Sequence, residues 1–130
     1  MNNEPIYLDT NVIMDFILGR DGNSFKFLKK VIQCDYKITI SEVVLEELKF
    51  QNLENESFNF ISLFKKSKKI KILKVNNEDI KKAKEIKETH FNDALHKVLS
   101  KRNGDVYFVT KNIKDFVCFK DINVKRPDEL

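Results

Sequence analysis

Short apolar runs alternate along this chain with longer stretches whose apolar residues recur at helical spacing. Residues 6–8, 37–40, 70–75 and 106–110 form the runs, which predict buried strands. Helical patterns cover residues 11–18, 24–34, 41–50, 57–66, 77–87 and 93–101. Alternation of this kind is typical of βαβ units, so we expect an α/β fold with a central, mainly parallel sheet. A short last strand at 122–124 completes the prediction of one domain over residues 1–130.

Local residue chemistry predicts where several helices begin and end. Ser24 and Ser41 are placed to cap the second and third helices, and Asn92 is placed to cap the last one. Gly104, directly after Asn103, is expected to end that last helix because glycine tolerates the left-handed conformation of a helix C-terminus.

Composition excludes several classes of protein. Three glycines and two prolines in 130 residues are too few for a collagen-like or linker-like chain. No stretch approaches the 18 or so apolar residues of a membrane span, and the N-terminal sequence lacks the pattern of a secretory signal. Cys34 and Cys118 form no CxxC motif, so we expect reduced thiols in the core of a cytoplasmic protein that does not enter membranes.

The end of the first strand carries a carboxylate. Asp9 follows the run of residues 6–8 and precedes Thr10 and Asn11, one of which is expected to cap the next helix. In an open α/β sheet, ligands bind beyond the carboxyl ends of the parallel strands. Asp9 is therefore either a metal ligand or nucleophile, or a helix-capping aspartate, and its sequence context allows both.

Two adjacent glutamates follow the second strand. On a helix with 100° per residue, Glu47 lies about 110° from the centre of the apolar stripe and Glu46 about 150° from it. Glu47 is therefore the better candidate for a partly shielded site. The plain alternative is that both are solvated helix charges.

Two further groups of polar residues lie in the first turn of a helix or at the end of a strand. Asp93 falls in the first turn of the last helix, where the helix dipole also stabilises a carboxylate. Thr110 ends the fourth strand, and Asn112 and Asp115 flank the turn after it. Like-charged carboxylates that converge need a cation to neutralise them, and oxygen ligands suit Mg²⁺ or Mn²⁺.

Four segments together resemble the PIN domain, the nuclease fold of VapC-type toxins. They are Tyr7-Leu8-Asp9-Thr10-Asn11-Val12, residues 40–48, Asp93-Ala94-Leu95-His96, and Val109-Thr110-Lys111-Asn112-Ile113-Lys114-Asp115-Phe116. They follow the family's order and spacing and span residues 7–116. No single segment is diagnostic, but the ordered set of four is a fairly strong signal.

The resemblance implies a PIN-like α/β/α sandwich and a metal-dependent, single-strand-specific endoribonuclease, the toxin of a type II toxin–antitoxin pair. It implies that Asp9 and Asp93 bind Mg²⁺ or Mn²⁺ and that Glu47 binds metal or orients water. Many family members carry an aspartate where this chain has Asn112, so either Asn112 or Asp115 completes the implied site. The supporting hydrogen bonds are expected from Thr10, Asn11 and Thr110.

The expected partners are RNA, an antitoxin protein and a second copy of the chain in a homodimer. A non-catalytic PIN-like module that binds RNA or protein is the alternative, motivated by Asn112. Haloacid-dehalogenase phosphatases and response-regulator receivers fit less well, because position 11 is Asn11 and no middle strand ends in an acidic residue. The absence of GxxxxGK[ST] excludes a P-loop enzyme.

Three other features have a plain and a functional interpretation. His90 and His96 flank Asp93, and we expect surface positions or positions behind the site rather than a transition-metal centre. Residues 65–74 are rich in lysine; Lys68, Lys69 and Lys71 either face solvent or bind RNA phosphates. The third feature is an apolar group that forms core or a dimer or antitoxin surface, namely Leu53, Phe58, Phe60 and Phe64.

Net charge takes on meaning once the acidic site is set aside. The chain has 24 lysines and arginines against 20 acidic residues, a formal charge of +4. Without the four carboxylates of the expected site, 16 acidic residues remain, and the rest of the chain carries +8. A basic surface around an acidic pocket suits a polyanionic substrate.

Overall fold

A five-stranded, all-parallel sheet forms the centre of the molecule. The computed structural model of the protein describes residues 4–20, 22–33, 36–87 and 89–130. The strands are Glu4–Leu8 (β1), Tyr36–Ser41 (β2), Ile70–Leu73 (β3), Tyr107–Val109 (β4) and Val124–Lys125 (β5), in the order β3-β2-β1-β4-β5. The predicted parallel α/β architecture is confirmed, with the last strand displaced by one or two residues from its expected position.

Six helices connect the strands. They are Thr10–Leu18 (α1), Gly22–Gln33 (α2), Glu42–Phe50 (α3), Glu54–Lys66 (α4), Asn77–Glu85 (α5) and Phe91–Asn103 (α6). Short 3₁₀ turns follow at Ile113–Asp115 and Pro127–Glu129. Each predicted helix is present, with its ends moved by no more than about three residues, as expected where end groups rather than periodicity set the limits.

Strand side chains alternate between two apolar clusters, one on each face of the sheet. Ile6 and Leu8 point to the cluster that contains residues of α1, α2 and α4, whereas Tyr7 points to the one formed with α5 and α6. The same alternation holds for Phe108 and Val109 in β4. Because both faces are covered, the sheet strands are nearly continuous apolar runs, and the molecule is an α/β/α sandwich.

Helix ends follow the predicted chemistry only in part. Ser41 caps α3 by accepting a hydrogen bond from the Val44 N–H, and Gly104 ends α6 with a φ of 71°. Ser24 is not a cap: α2 begins at Gly22, and the buried Ser24 hydroxyl has no hydrogen-bond partner among the described residues. Nor do Thr10 or Asn11 cap α1, because Asp9 takes that position.

Two expectations about the core need correction. Cys118 is exposed rather than buried, and Cys34 lies outside the described residues. Phe60 and Phe64 belong to the core, but Phe58 is 70% exposed because it lies on the outer face of α4. Within the described residues, no helix has both the length and the apolar composition needed to cross a bilayer.

Candidate active site

The candidate site lies where the strand order changes direction. From β1 the chain builds the sheet outward through β2 and β3, then returns to the other side of β1 with β4. Connections therefore leave β1 and β4 toward opposite sides, which opens a crevice beyond their carboxyl ends. Asp9 follows β1 and Thr110 follows β4, and the Asp9 N–H donates to the Val109 carbonyl at 2.9 Å.

Asp9 both caps a helix and faces this crevice. Its Oδ1 accepts from the Thr10 N–H at 2.8 Å, which caps α1, and its Oδ2 accepts from the Thr110 hydroxyl at 2.8 Å. The amide of Asn11 donates to Oδ2 at 3.3 Å. The three predicted supporting residues therefore do contact Asp9, and they fix its carboxylate on the two adjoining strand ends.

Glu47 reaches the crevice from α3. Its Oε1 accepts hydrogen bonds from the Thr10 hydroxyl at 2.7 Å and from Nε2 of His96 at 2.8 Å. Asn92 also hydrogen-bonds to this carboxylate. Glu47 is partly buried while Glu46 is exposed, which agrees with the helix-face prediction.

Asp93 and Asn92 lie in the first turn of α6, where the predicted cap is wrong. His90 is the N-cap residue and α6 begins at Phe91, so Asn92 is already inside the helix. Its side chain is consequently available to Glu47. Asp93 is partly buried and lines the same crevice as Asp9 and Glu47.

Asn112 and Asp115 complete the rim of a pocket of about 850 Å³. The Asn112 N–H donates to the Thr110 hydroxyl at 3.1 Å, which holds the loop after β4 against the strand end. Six carboxylates line the pocket: Asp9, Glu42, Glu46, Glu47, Asp93 and Asp115. Among the described residues that line it there is no lysine or arginine.

Burial and mutual repulsion act on the pKa values of these carboxyls. Burial, with a smaller contribution from the negative charge of Glu47, raises the pKa of Asp9. Burial, Asp9 and Asp115 together raise the pKa of Asp93. Burial also acts to raise the pKa of Glu47, but the hydrogen bond and charge of His96 outweigh it and the pKa lies below its usual value. The pocket therefore favours the binding of positive charge.

Comparison with known proteins identifies the family. The family model described as PIN domain matches residues 6–122. The chain belongs to the PIN-domain family. A comparison with curated protein sequences gives no match.

Solved structures share the fold of this PIN domain at low sequence identity. The VapBC2 complex of Rickettsia felis, bound to a DNA fragment from its promoter, contains a chain with a TM-score of 0.69 at 19% identity, covering 94% of this chain and 98% of that one. For VapBC-1 of nontypeable Haemophilus influenzae the TM-score is 0.67 at 18% identity, with coverages of 95% and 98%. For Mycobacterium tuberculosis VapC20, a toxin that cleaves the sarcin–ricin loop, the TM-score is 0.59 at 15% identity, with coverages of 79% and 86%.

The carboxylate and amide oxygens that line the pocket of this PIN domain fit a hard divalent cation such as Mg²⁺ or Mn²⁺ rather than a softer metal such as Zn²⁺ or Cu²⁺. Within the part of the chain that the structure describes, no three acidic, histidine or cysteine side chains form a ready-made metal cage. Mg²⁺ does not need one, because it keeps several waters and binds through one or two carboxylates plus substrate oxygens. Asp9 and Asp93, which line one pocket with raised pKa values, supply such carboxylates.

The lysine-rich segment lies away from the pocket of the PIN domain. Lys68 and Lys69 precede β3 at its amino end, whereas the acidic residues follow the carboxyl ends of the strands. Lys71 donates from Nζ to Oδ1 of Asn103 at 2.8 Å, at the far end of α6. None of the three lines the pocket.

The sequence indicated for His96 only a position at the surface or behind the site, and it did not indicate a polar role for Tyr7. His96 is 1% exposed and stands directly behind Glu47, whereas His90 is exposed at the start of α6. Tyr7 is also fully buried, and its hydroxyl forms a hydrogen bond of 2.6 Å with Nδ1 of His96. Its position inside an apolar strand gave no sign of a polar role, because only the partner 89 residues away reveals it.

Proposed function

We propose that this PIN domain is a metal-dependent, single-strand-specific endoribonuclease and the toxin of a type II toxin–antitoxin pair. The observation that carries the proposal is the pocket in which six carboxylates meet without a lysine or arginine among the described lining residues. PIN and VapC nucleases are hydrolytic ribonucleases and generally use divalent metal ions. The similarity to chains of VapBC complexes and to VapC20, a toxin that cleaves the sarcin–ricin loop, supports both the nuclease activity and the toxin role.

Each carboxylate of the pocket has a role in this proposal. Asp9 and Asp93 would hold Mg²⁺ or Mn²⁺, which would supply Lewis acidity to the reaction when bound. Glu47 orients the attacking water and serves as its base; its lowered pKa keeps the carboxylate ionised but also makes it a weaker base. Hydrogen bonds from Thr10 and Thr110 hold Glu47 and Asp9 in place.

Asp115, rather than Asn112, supplies the fourth charge in this proposal. Asp115 lies near enough to raise the pKa of Asp93, so it adds to the same negative field. Asn112 is tied by its backbone to Thr110, and its side chain carries no charge. A neutral amide contributes at most a carbonyl ligand or a water contact.

Cleavage of single-stranded RNA by the purified protein tests the proposal. We expect cleavage with Mg²⁺ or Mn²⁺, loss of it with EDTA, and loss in Asp9→Asn and Asp93→Asn. Asp115→Asn is expected to reduce cleavage more than Asn112→Ala. Activity that persists in EDTA, or that equals wild type in the Asp93→Asn protein, would exclude a metal site of this composition.

A binding module without catalytic activity is the second candidate, favoured by the asparagine at position 112. Calorimetric titration with Mn²⁺ separates the two candidates. A nuclease site binds Mn²⁺ at millimolar concentration or below, and Asp9→Asn abolishes the binding. No binding at millimolar Mn²⁺ favours the module.

The proposed partners are tested separately from the chemistry. The antitoxin is expected to bind this chain, as VapB does in the VapBC complexes, and to suppress cleavage. Homodimer formation is expected in solution, and sedimentation equilibrium at several concentrations measures it. A monomer at all concentrations would contradict the homodimer.

A further inference from the structure

A chain of buried, hydrogen-bonded side chains lies behind Glu47 and ends at its carboxylate. The Ser41 hydroxyl is 2.7 Å from the Tyr7 hydroxyl, which is 2.6 Å from Nδ1 of His96. Nε2 of the same imidazole is 2.8 Å from Oε1 of Glu47. Ser41, Tyr7 and His96 are each at most 1% exposed, so water does not compete for the hydrogen bonds among these three side chains.

The direction of the last bond follows from the chemistry of its two ends. The Glu47 carboxylate accepts this hydrogen bond, because an ionised carboxylate has no hydrogen to donate and its Oε1 already accepts from the Thr10 hydroxyl. Nε2 of His96 must therefore carry the hydrogen, whether the imidazole is neutral or charged. The ring flip that would exchange its nitrogens is opposed by Tyr7, which hydrogen-bonds to Nδ1 from the opposite side.

Glu47 needs this support because of where it is attached. Its long side chain is 34% exposed and, without supporting contacts, would move among several rotamers. Two donors from different helices, Thr10 in α1 and His96 in α6, converge on the single atom Oε1. One carboxylate oxygen is thereby fixed from behind.

His96 is itself fixed by packing. Tyr7 meets the imidazole edge-on, with ring centroids 5.6 Å apart, and stacks on Phe108 at 5.2 Å with an interplanar angle of 12°. The phenol ring has no freedom to swing away, so its hydroxyl stays directed at Nδ1. Such outer partners of an active-site group are typically worth 10- to 100-fold in activity or metal affinity.

We propose that His96, held by Tyr7, is a positioning residue that fixes the Glu47 carboxylate in the pocket before RNA binds. The inference deepens the proposed ribonuclease function and rests on it. His96 does not touch the substrate; it acts through Glu47, whose Oε1 is 2.8 Å from Nε2, while Oδ1 of Asp9 is 3.8 Å from the same nitrogen. Loss of this contact is expected to lower kcat rather than raise KM, because it displaces a group that acts on the attacking water.

Three variants separate positioning from simple core packing. His96→Leu removes the donor, and we expect kcat to fall at least tenfold with KM changed less than threefold. His96→Gln places an amide N–H at a similar reach, and it should restore kcat to within a few-fold of wild type. Tyr7→Phe keeps the ring but removes the hydroxyl, and its kcat should fall about tenfold. Tyr107→Phe is the matched control at a half-buried tyrosine that does not line the pocket, and it should leave kcat unchanged.

An NMR measurement on the metal-free protein provides a readout that does not depend on activity. With ¹⁵N-labelled histidine only two imidazoles contribute, and His90→Gln assigns them. We expect an Nε2–H signal of His96 that exchanges slowly with water, and faster exchange of that signal in Tyr7→Phe. Circular dichroism and urea unfolding select the variants that remain folded.

The outcomes separate this inference from the proposed function. Wild-type protein without ribonuclease activity refutes the proposed function. Active wild-type protein whose kcat is matched by folded His96→Leu or Tyr7→Phe protein overturns only the positioning role. Absence of a protected Nε2–H signal in the wild type overturns it as well, whatever the activity.

Discussion

At the scale of single residues, Asp9 and Asp93 each lie at the N-terminus of a helix and also line the pocket. Asp9 caps α1 and also faces the crevice, so its capping role does not exclude the proposed metal-binding role. A capping side chain is held by the first turn of its helix, which makes it rigid enough to place a ligand. The same helix-terminal position serves Asp93 in the first turn of α6.

Because Asp9 is buried, we expect the folded protein to become more stable when the charge of this side chain is removed. Its raised pKa means that the folded protein holds the proton more tightly than the unfolded chain, so ionisation costs stability as pH rises above about 4. Asp9→Asn keeps the cap and should raise the free energy of unfolding at pH 7 in EDTA. The gain should vanish as pH falls below about 4, where Asp9 is protonated in both states.

Urea unfolding at the two pH values measures this effect, with exposed Asp128→Asn as the control. Mn²⁺ should stabilise the wild type and leave the Asp9→Asn protein unchanged. A free energy of unfolding for Asp9→Asn below that of wild type at pH 7 would show that the buried charge is already compensated.

At the scale of helices and strands, the sequence predicted which elements form and their order along the chain. It predicted the residues that cap the helices less well. Ser41 and Gly104 lie where their local chemistry predicts. Ser24 and Asn92 have equally good local chemistry and still are not caps, because their helices begin two residues earlier. A cap contributes only about 1 kcal/mol, so cap chemistry alone does not fix where a helix begins.

Two glycines at helix ends should respond oppositely to alanine. Gly104 has a φ of 71° with no atom within 4 Å of an added Cβ, so Gly104→Ala should destabilise by about 1–2 kcal/mol through the backbone alone. Gly22 begins α2, also with open space and with no positive φ. Gly22→Ala should therefore stabilise by about 0.4–1 kcal/mol. Urea unfolding measures both, and equal effects would contradict the backbone explanation.

At the scale of the whole molecule, two apolar clusters share the strands of one sheet. Ile6 and Tyr7, neighbours in β1, belong to different clusters, so neither side can lose its packing without exposing the other. We therefore propose a single domain that unfolds cooperatively. Calorimetric and van't Hoff enthalpies of unfolding should agree, and two resolved transitions would argue for separate units.

The basic surface outside the pocket should contribute RNA affinity that does not depend on catalysis. Because Lys68 and Lys69 lie at the amino end of β3, their reversal to Glu should weaken binding without changing kcat. For two contacts to single-stranded phosphates, the slope of log K against log salt should fall by about 1.4. Binding is measured with Asp93→Asn protein to prevent cleavage.

The control is the double reversal of Lys26 and Lys29, which are exposed on α2 and change the net charge equally. If both double variants alter the slope alike, the effect belongs to net charge. An unchanged slope in the Lys68 and Lys69 variant assigns those lysines to solvent.

The sequence by itself determined the parallel α/β architecture and the separate acidic segments, because apolar period and strand-end position are local properties. It also distinguished Glu47 from Glu46, since one helix turn fixes which of them is shielded. Only the tertiary structure decided that Tyr7 and His96 form the rear of the site. Their contact joins β1 to α6 across 89 positions, and neither residue has a local pattern that differs from ordinary core.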